Sequence, residues 1–262
     1  MTATTEGTTT EGLYVYAIGR GEPDDLGAGV DGVPLDRVTA HGLTAVVHRH
    51  TSGPFAGPDD DVRRRVVEHS DVVDRVWQAT GSVLPMSFNV IVAGSDDEPA
   101  GTRLASWLGQ HADRLGARLD RLTGRGELQV EIGLDQHEAG GRDPRAEALR
   151  VELAERPAGV RRLLTKRLEQ LERDATAALA DELYPDLRRR LAATAEEVTE
   201  TRRTHPEPGV VPVIGLALLV PLDDVDRVGR ELARVRDEHP AARIRYVGPW
   251  PPYSFAEVPA TA

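Results

Sequence analysis

The chain has 262 residues, 40% of them apolar and 29% charged, which suffices for one large domain or two small ones with a real core. Its formal net charge of −11 weighs against general nucleic-acid binding, which needs clustered cations to displace the counterions of phosphates. The absence of cysteine excludes disulfides and thiolate metal sites, and fits a reducing cytoplasm.

Residues 1–11 are rich in threonine and glycine, with no basic residue and no apolar core of the signal-peptide kind, and read as a disordered tail. Residues 13–18 read as a first strand. Residues 33–38 and 43–48 read as two more, divided by the turn residues His41 and Gly42. A helix is predicted over 59–79. Asp59, Asp60 and Asp61 sit at its positive end, and Val62, Val66, Val73 and Val76 keep helical spacing beside Trp77. Residues 83–92 return as a strand, entered or bulged at Pro85. A second helix over 97–122 carries the stripe Leu104, Leu108, Leu115, Leu119 and Leu122. Leu128, Val130, Ile132 and Leu134 then alternate as in a half-buried strand. This order predicts a modified ferredoxin-like α+β domain over 12–136, an antiparallel sheet with two helices covering one face.

Residues 136–144 read as a polar linker into a C-terminal domain over 137–262. A long amphipathic helix runs from about Val160 through Leu163, Leu164, Leu168, Leu171, Ala178 and Leu179. Pro185 is expected to break or kink it, and Leu187, Leu191, Ala195 and Val198 continue the pattern. The turn His205-Pro206-Glu207-Pro208-Gly209 ends the helical region. Residues 211–220 are continuously apolar, as in a strand covered on both faces. A helix with Val225, Val228, Leu232 and Val235 inward and a strand at 243–247 complete a terminal β-α-β unit. No segment is apolar and long enough to span a bilayer: the longest such run, 210–222, is too short and contains Pro212.

The chemistry-bearing motifs are sparse. Gly27-Ala28-Gly29-Val30-Asp31-Gly32 matches the Gly-x-Gly-x-x-Gly of dinucleotide sites, but a strand-like Val33-Pro34-Leu35 follows where a helix is needed. A flexible glycine loop is the expectation. His48 and His50 share one strand face and could meet His41 or Asp59 around a metal, though nothing supplies the missing ligands. His69, near Glu68 and Asp71, reads as a helix-packing residue. Serine-nucleophile, zinc-protease and phosphate-loop motifs are missing, so no enzyme, no cofactor, no metal and no small-molecule ligand are expected. The competing reading is a ferredoxin-like small-molecule-binding protein or enzyme with a pocket near His48 and His69. Arg161, Arg162, Lys166, Arg167 and Arg188-Arg189-Arg190 form local basic faces on an acidic chain. Such faces are usually solvated; the functional alternative is a docking surface for an acidic or amphipathic partner.

The tail Gly248-Pro249-Trp250-Pro251-Pro252-Tyr253-Ser254-Phe255 concentrates aromatic residues in a chain that has only three tryptophans, five tyrosines and three phenylalanines. Its prolines fix φ and remove donors, so it can be neither helix nor central strand and is expected to present its rings from a stiff strip. The rings either close their own domain or meet a partner. Together with Leu13-Tyr14-Val15-Tyr16-Ala17-Ile18 and Val83-Leu84-Pro85-Met86-Ser87-Phe88, this tail resembles the gas vesicle GvpL/GvpF family over about residues 12–255. The resemblance implies an accessory or minor structural protein needed for gas vesicle assembly, cytoplasmic and associated with the vesicles. It implies as partners the small hydrophobic major shell protein, bound during early wall formation, and other gas vesicle accessory proteins. Pro249, Trp250, Pro251, Tyr253 and Phe255 are the candidate partner-binding residues.

Overall fold

The computed structural model describes residues 12–257 apart from 22, 25, 96 and 202–206, so the tail expected at 1–11 lies outside the described residues. The chain falls into two compact units: one up to Gly126 with Trp250 onward, the other Glu127–Pro249.

The first unit contains β1 (Gly12–Arg20), β2 (Asp36–Ala40), β3 (Leu43–His50), α1 (Asp59–Thr80), β4 (Leu84–Pro85), β5 (Ile91–Ala93), α2 (Ala100–Gln110) and α3 (Ala112–Leu122). Its sheet runs β2-β3-β1-β4, with β5 also on β1, and its strand pairs are antiparallel. Eight consecutive residues of β1 are buried, so both faces of the strand are covered. Tyr14, Tyr16 and Ala17 pack with Val72, Val73 and Val76 of α1. Arg20, two residues beyond Ile18 on the other face, donates to the Gly116 carbonyl of α3 at 3.0 Å. The pairing of β1 with β3 slips between Val15 and Ala17. That bulge turns Tyr16 and Ala17 to the same side, which strict alternation forbids. Helices therefore flank both faces of the sheet, where the sequence suggested one.

Other differences are local. The single helix expected at 97–122 is two, divided at His111 (φ −110°), whose Nδ1 lies 2.9 Å from the Trp107 carbonyl. All five leucines of its predicted stripe are nonetheless buried. In α1 the inward face is His69, Val72, Val73 and Val76, while Val66 points outward. α1 ends at Gly81 in the left-handed conformation (φ 67°), its N–H on the Trp77 carbonyl at 2.8 Å. The strand read at 83–92 is two short pieces, and Asn89 between them has φ 71°.

The second unit contains β6 (Arg125–Asp135), α4 (Gln136–Gly140), α5 (Pro144–Ala154), α6 (Ala158–Ala192), β7 (Glu197–Glu200), β8 (Val210–Pro221), α7 (Val225–Glu238) and β9 (Ala242–Trp250). Its sheet order is β7-β8-β6-β9. A β-α-β-β-α-β connection with the first and third strands central is the split βαβ of ferredoxin-like folds. The sequence had assigned the residues of β6 to the first domain and the tail to the second. Alternation showed a strand but not its sheet, and the structure places β6 in the second sheet and Trp250 onward in the first unit. The core stacks Leu128, Val130 and Ile132 on Leu216, Leu218 and Val220, under Leu187 and Leu191 of α6 and Val228, Leu232 and Val235 of α7.

The expected linker at 136–144 is largely helical. Asp135 caps α4, accepting from the amides of Glu138 and His137, each at 3.0 Å. These amides and Arg243 hold its carboxyl below the usual range. Pro185 does not break α6, which runs 35 residues through it. Pro185 is exposed, so water can take the carbonyl it leaves unbonded. The helix stops at Ala192, and Val198, expected to prolong it, lies in β7 paired with Leu218 of β8.

Candidate functional site

The tail is less uniform than its composition suggests. β9 is an edge strand and extends to Trp250, so Pro249 sits where a missing donor is tolerated. Pro249 is exposed and Trp250 half-buried; Pro251 and Pro252 are buried. A single 3-10 turn follows, with the Tyr253 amide on the Pro251 carbonyl at 2.8 Å and the Phe255 amide on the Pro252 carbonyl at 3.1 Å. Phe255 is 4% exposed and Tyr253 38%. Glu257 pairs with Arg118 of α3, in the same unit. Buried prolines, the Phe255 ring and this ion pair thus anchor a short segment from which Tyr253 projects.

The second feature is a packed cluster of Tyr14, Tyr16, His48, His50, Phe55, His69 and Phe88. Tyr14 stands opposite His48 in the β1–β3 register, and their rings stack at 5.0 Å. His69 Nε2 lies 3.0 Å from the Met86 carbonyl, which can only accept, so that nitrogen carries the proton. Nδ1 then accepts from the Tyr14 hydroxyl at 2.9 Å, and that oxygen accepts the Asn89 amide at 3.1 Å. The Tyr16 hydroxyl lies 2.6 Å from His48 Nδ1 and accepts the Val30 amide at 2.7 Å. His50 Nε2 donates to the Gly53 carbonyl at 2.9 Å. Burial pushes His48 down to about 4, with His50 beside it adding to the effect. Burial also lowers His69, against the opposing Met86 carbonyl. Burial raises Tyr14 to about 12 and raises Tyr16 as well. The four groups are therefore neutral at pH 7, and they are hydrogen-bonded in two pairs, Tyr14 with His69 and Tyr16 with His48.

The structure thus joins His48, His50 and His69 but leaves out the other proposed ligands. His41 lies at the β2–β3 turn against Gly109, where an added Cβ would come within 2.9 Å of its ring. Asp59 is exposed in the first turn of α1. Among the described residues no three His, Asp or Glu side chains are placed to hold a metal. The sequence reading missed the two tyrosines. The signal was their alternation on β1, which matches the alternation of His48 and His50 on its antiparallel neighbour.

The glycine motif belongs to this cluster. A Cβ at Gly29 would meet the Tyr16 hydroxyl at 2.3 Å, so only glycine lets the loop approach the ring. Arg75 donates to the carbonyls of Leu26 and Ala28 at 2.6 and 2.8 Å, and the Val30 amide is taken by Tyr16. The loop is closed by side chains rather than opened towards a phosphate. Tyr16→Phe removes a buried partner from both Val30 and His48; a loss of about 1–3 kcal/mol is expected in a denaturant titration. An unchanged midpoint would show that the hydroxyl is not needed.

The basic run at 188–190 is likewise structural. Arg188 bonds Glu200 at 3.1 Å, Arg189 pairs with Asp186, and Arg190 reaches Glu231 at 2.6 Å and Glu238 at 2.5 Å.

Fold and site define a two-unit α+β protein with a hydrogen-bonded Tyr–His cluster in its first unit and an anchored aromatic tail. Residues 12–257 match the family model for gas vesicle synthesis protein GvpL/GvpF, and the chain belongs to that family. It is 30% identical to gas vesicle protein L1 of Halobacterium salinarum, over 97% of this chain and 94% of that one. It is 33% identical to gas vesicle protein L2 of the same organism, over 87% and 83%. The fold is shared with the crystal structure of GvpF from Anabaena sp. PCC7120 at a TM-score of 0.69 and 19% identity, over 97% of this chain and 99% of that one. The GvpF structure from Microcystis aeruginosa superposes at 0.65 and 19% identity, over 94% and 99%. The chain is therefore a gas vesicle accessory protein. Among its described residues no helix is long and apolar enough to cross a membrane.

Proposed function

We propose that this protein acts in the cytoplasm during early assembly of the gas vesicle wall, by binding the hydrophobic major shell protein. A subunit destined for an apolar wall exposes apolar surface before it is incorporated, and a companion that covers that surface prevents wrong pairing. The observation that carries this reading is the division of labour in the tail. Phe255, Pro251 and Pro252 are buried and hold the segment, while Trp250 is half-buried and Tyr253 is 38% exposed. Rigid aromatic side chains held in place bind at low entropic cost. Pro249, Trp250, Pro251, Tyr253 and Phe255 are thus assigned as contact residues or their supports.

The test is tagged co-purification with co-expressed major shell protein. The native chain is expected to recover it. A Trp250→Ala, Tyr253→Ala double variant is expected to lose at least about tenfold, the scale of a hot-spot pair, while keeping its circular dichroism. Full recovery by the folded double variant would remove the tail from the contact. No recovery by the native chain would defeat the shell-protein reading itself. The alternative, a ligand pocket near His48 and His69, has less support, because both rings are hydrogen-bonded inside a packed cluster.

A further inference from the structure

The first part of α6 departs from what a helix needs locally. Between Arg156 and Leu168 there is no acidic residue, yet Arg161, Arg162, Lys166 and Arg167 fall there, in a chain of formal net charge −11. Cations near a helix N-terminus oppose the macrodipole. Arg162 and Lys166 are also a like-charge pair at i,i+4. α1 shows the favourable arrangement, with Asp59, Asp60 and Asp61 in its first turn; α6 has no acid there. Arg188, Arg189 and Arg190, near the other end of α6, pair with Glu200, Asp186, Glu231 and Glu238. Among the described residues no ion pair offsets the four early ones.

The apolar residues are displaced too. Leu163 is 70% exposed and Val160 45%, and from Val160 to Leu171 no side chain is buried. Among the described side chains of the helix the first buried one is Glu172, bonded to Arg150 at 2.6 Å. Val160, Leu163 and Arg167 fall at i, i+3 and i+7 and form one stripe, and Lys166 lies next to Leu163, about 60° round the helix, while Arg162 is turned to nearly the opposite side from Val160. Local stability is given up here in both charge and burial, as expected of a surface completed by a partner.

We propose that this segment of α6 docks an acidic amphipathic helix of a partner protein, whose apolar residues cover Val160 and Leu163 while its carboxylates meet Lys166 and Arg167. Charge complementarity selects the occupant. A flat anionic membrane would also meet the acid-rich remainder of the molecule, and the strip has no aromatic residue to insert. A second copy docked through this strip about a two-fold axis would set cation against cation. A single acidic helix touches only the strip. The inference is independent of what the tail binds.

The test uses the full chain and a fluorescent peptide of about 20 residues, with leucine at helical spacing and glutamate elsewhere. Anisotropy is expected to show saturable binding that weakens about tenfold or more between low and physiological salt. Leu163→Ser, and separately Lys166→Glu with Arg167→Glu, should each weaken it at least about tenfold with unchanged circular dichroism. Exposed side chains are chosen so that folding is not at risk. Equal binding of a scrambled peptide, or full affinity in the charge-reversed variant, would overturn the proposal. So would binding of phosphatidylglycerol vesicles but not peptide, or self-association of the chain that the peptide does not displace.

Discussion

Gly140→Ala is expected to cost on the order of 3 kcal/mol or more, the upper range of overpacking effects. An added Cβ would lie 2.2 Å from the Glu172 carbonyl oxygen, 2.6 Å from its Cα and 2.7 Å from its carbonyl carbon. These are backbone atoms within α6, so no rotamer change relieves the contact. Either α4 lifts from α6 or the helix bends. Lifting would break Gln136 Nε2 to the Glu169 carbonyl at 3.2 Å and Thr176 Oγ1 to the Gln136 carbonyl at 3.3 Å. Thr176 is fully buried and Glu172 is 5% exposed, so both sit at the heart of this contact. Gly101→Ala is the control, because Gly101 lies within α2 with nothing inside 4 Å of an added Cβ. It should be neutral or stabilising by up to about 1 kcal/mol. Chemical denaturation compares the two; equal midpoints would show that α4 and α6 do not meet as closely as described.

The second large effect is acid destabilisation through the buried histidines. His48 is 1% exposed and pushed down to about 4, and His69 is also lowered. Folding therefore holds these rings neutral where the unfolded chain, with histidine near 6.5, would protonate them. Above about pH 6.5 neither state is protonated and stability does not depend on them. As pH falls through 6.5 towards 4 the unfolded state binds more protons and stability falls. From His48 alone the full loss is on the order of 3 kcal/mol. The neighbours facing it are Tyr14, Tyr16 and His50, with Asp31 the carboxylate that pulls its proton affinity upward. Carboxylates held low, such as Asp31 and Asp143, contribute stability that is lost only at more acidic pH, below their unfolded values near 3.8. The histidine window lies mostly above theirs, and only its acid end overlaps the glutamates held low from about 4.5, Glu68, Glu200 and Glu231. Denaturation midpoints of native and His48→Gln chains at pH 7.5, 5.5 and 4.5 should show a flatter dependence in the variant. Parallel curves would assign the loss to other groups.

The leucines at 104, 108, 115, 119 and 122 and the alternation at 128–134 were legible because helix and strand periods are local properties of the chain. β7 was not: Glu197-Val198-Thr199-Glu200 is short, polar and at an edge, and its extended state comes from pairing with β8. The caps of α4 and α5 could have been read, since Asp135 and Asp143 precede them and Pro144 opens α5. Pro185 suggested a break by a sound local rule, but it is exposed and α6 runs through it. The candidate partner site was visible as composition, but not the burial of Phe255 two residues after an exposed Tyr253.

What belonged to the sequence alone was the kind of most long elements, the acidic balance, the lack of thiol chemistry and the aromatic tail that marks the family. Tertiary structure decided which sheet receives β6, which nitrogen of His69 bears the proton, and which tail ring is left outside. The first set depends on neighbours a few residues apart. The second depends on contacts such as Tyr14 with His69 and Gly140 with Glu172, whose energies arise only when distant residues are brought together.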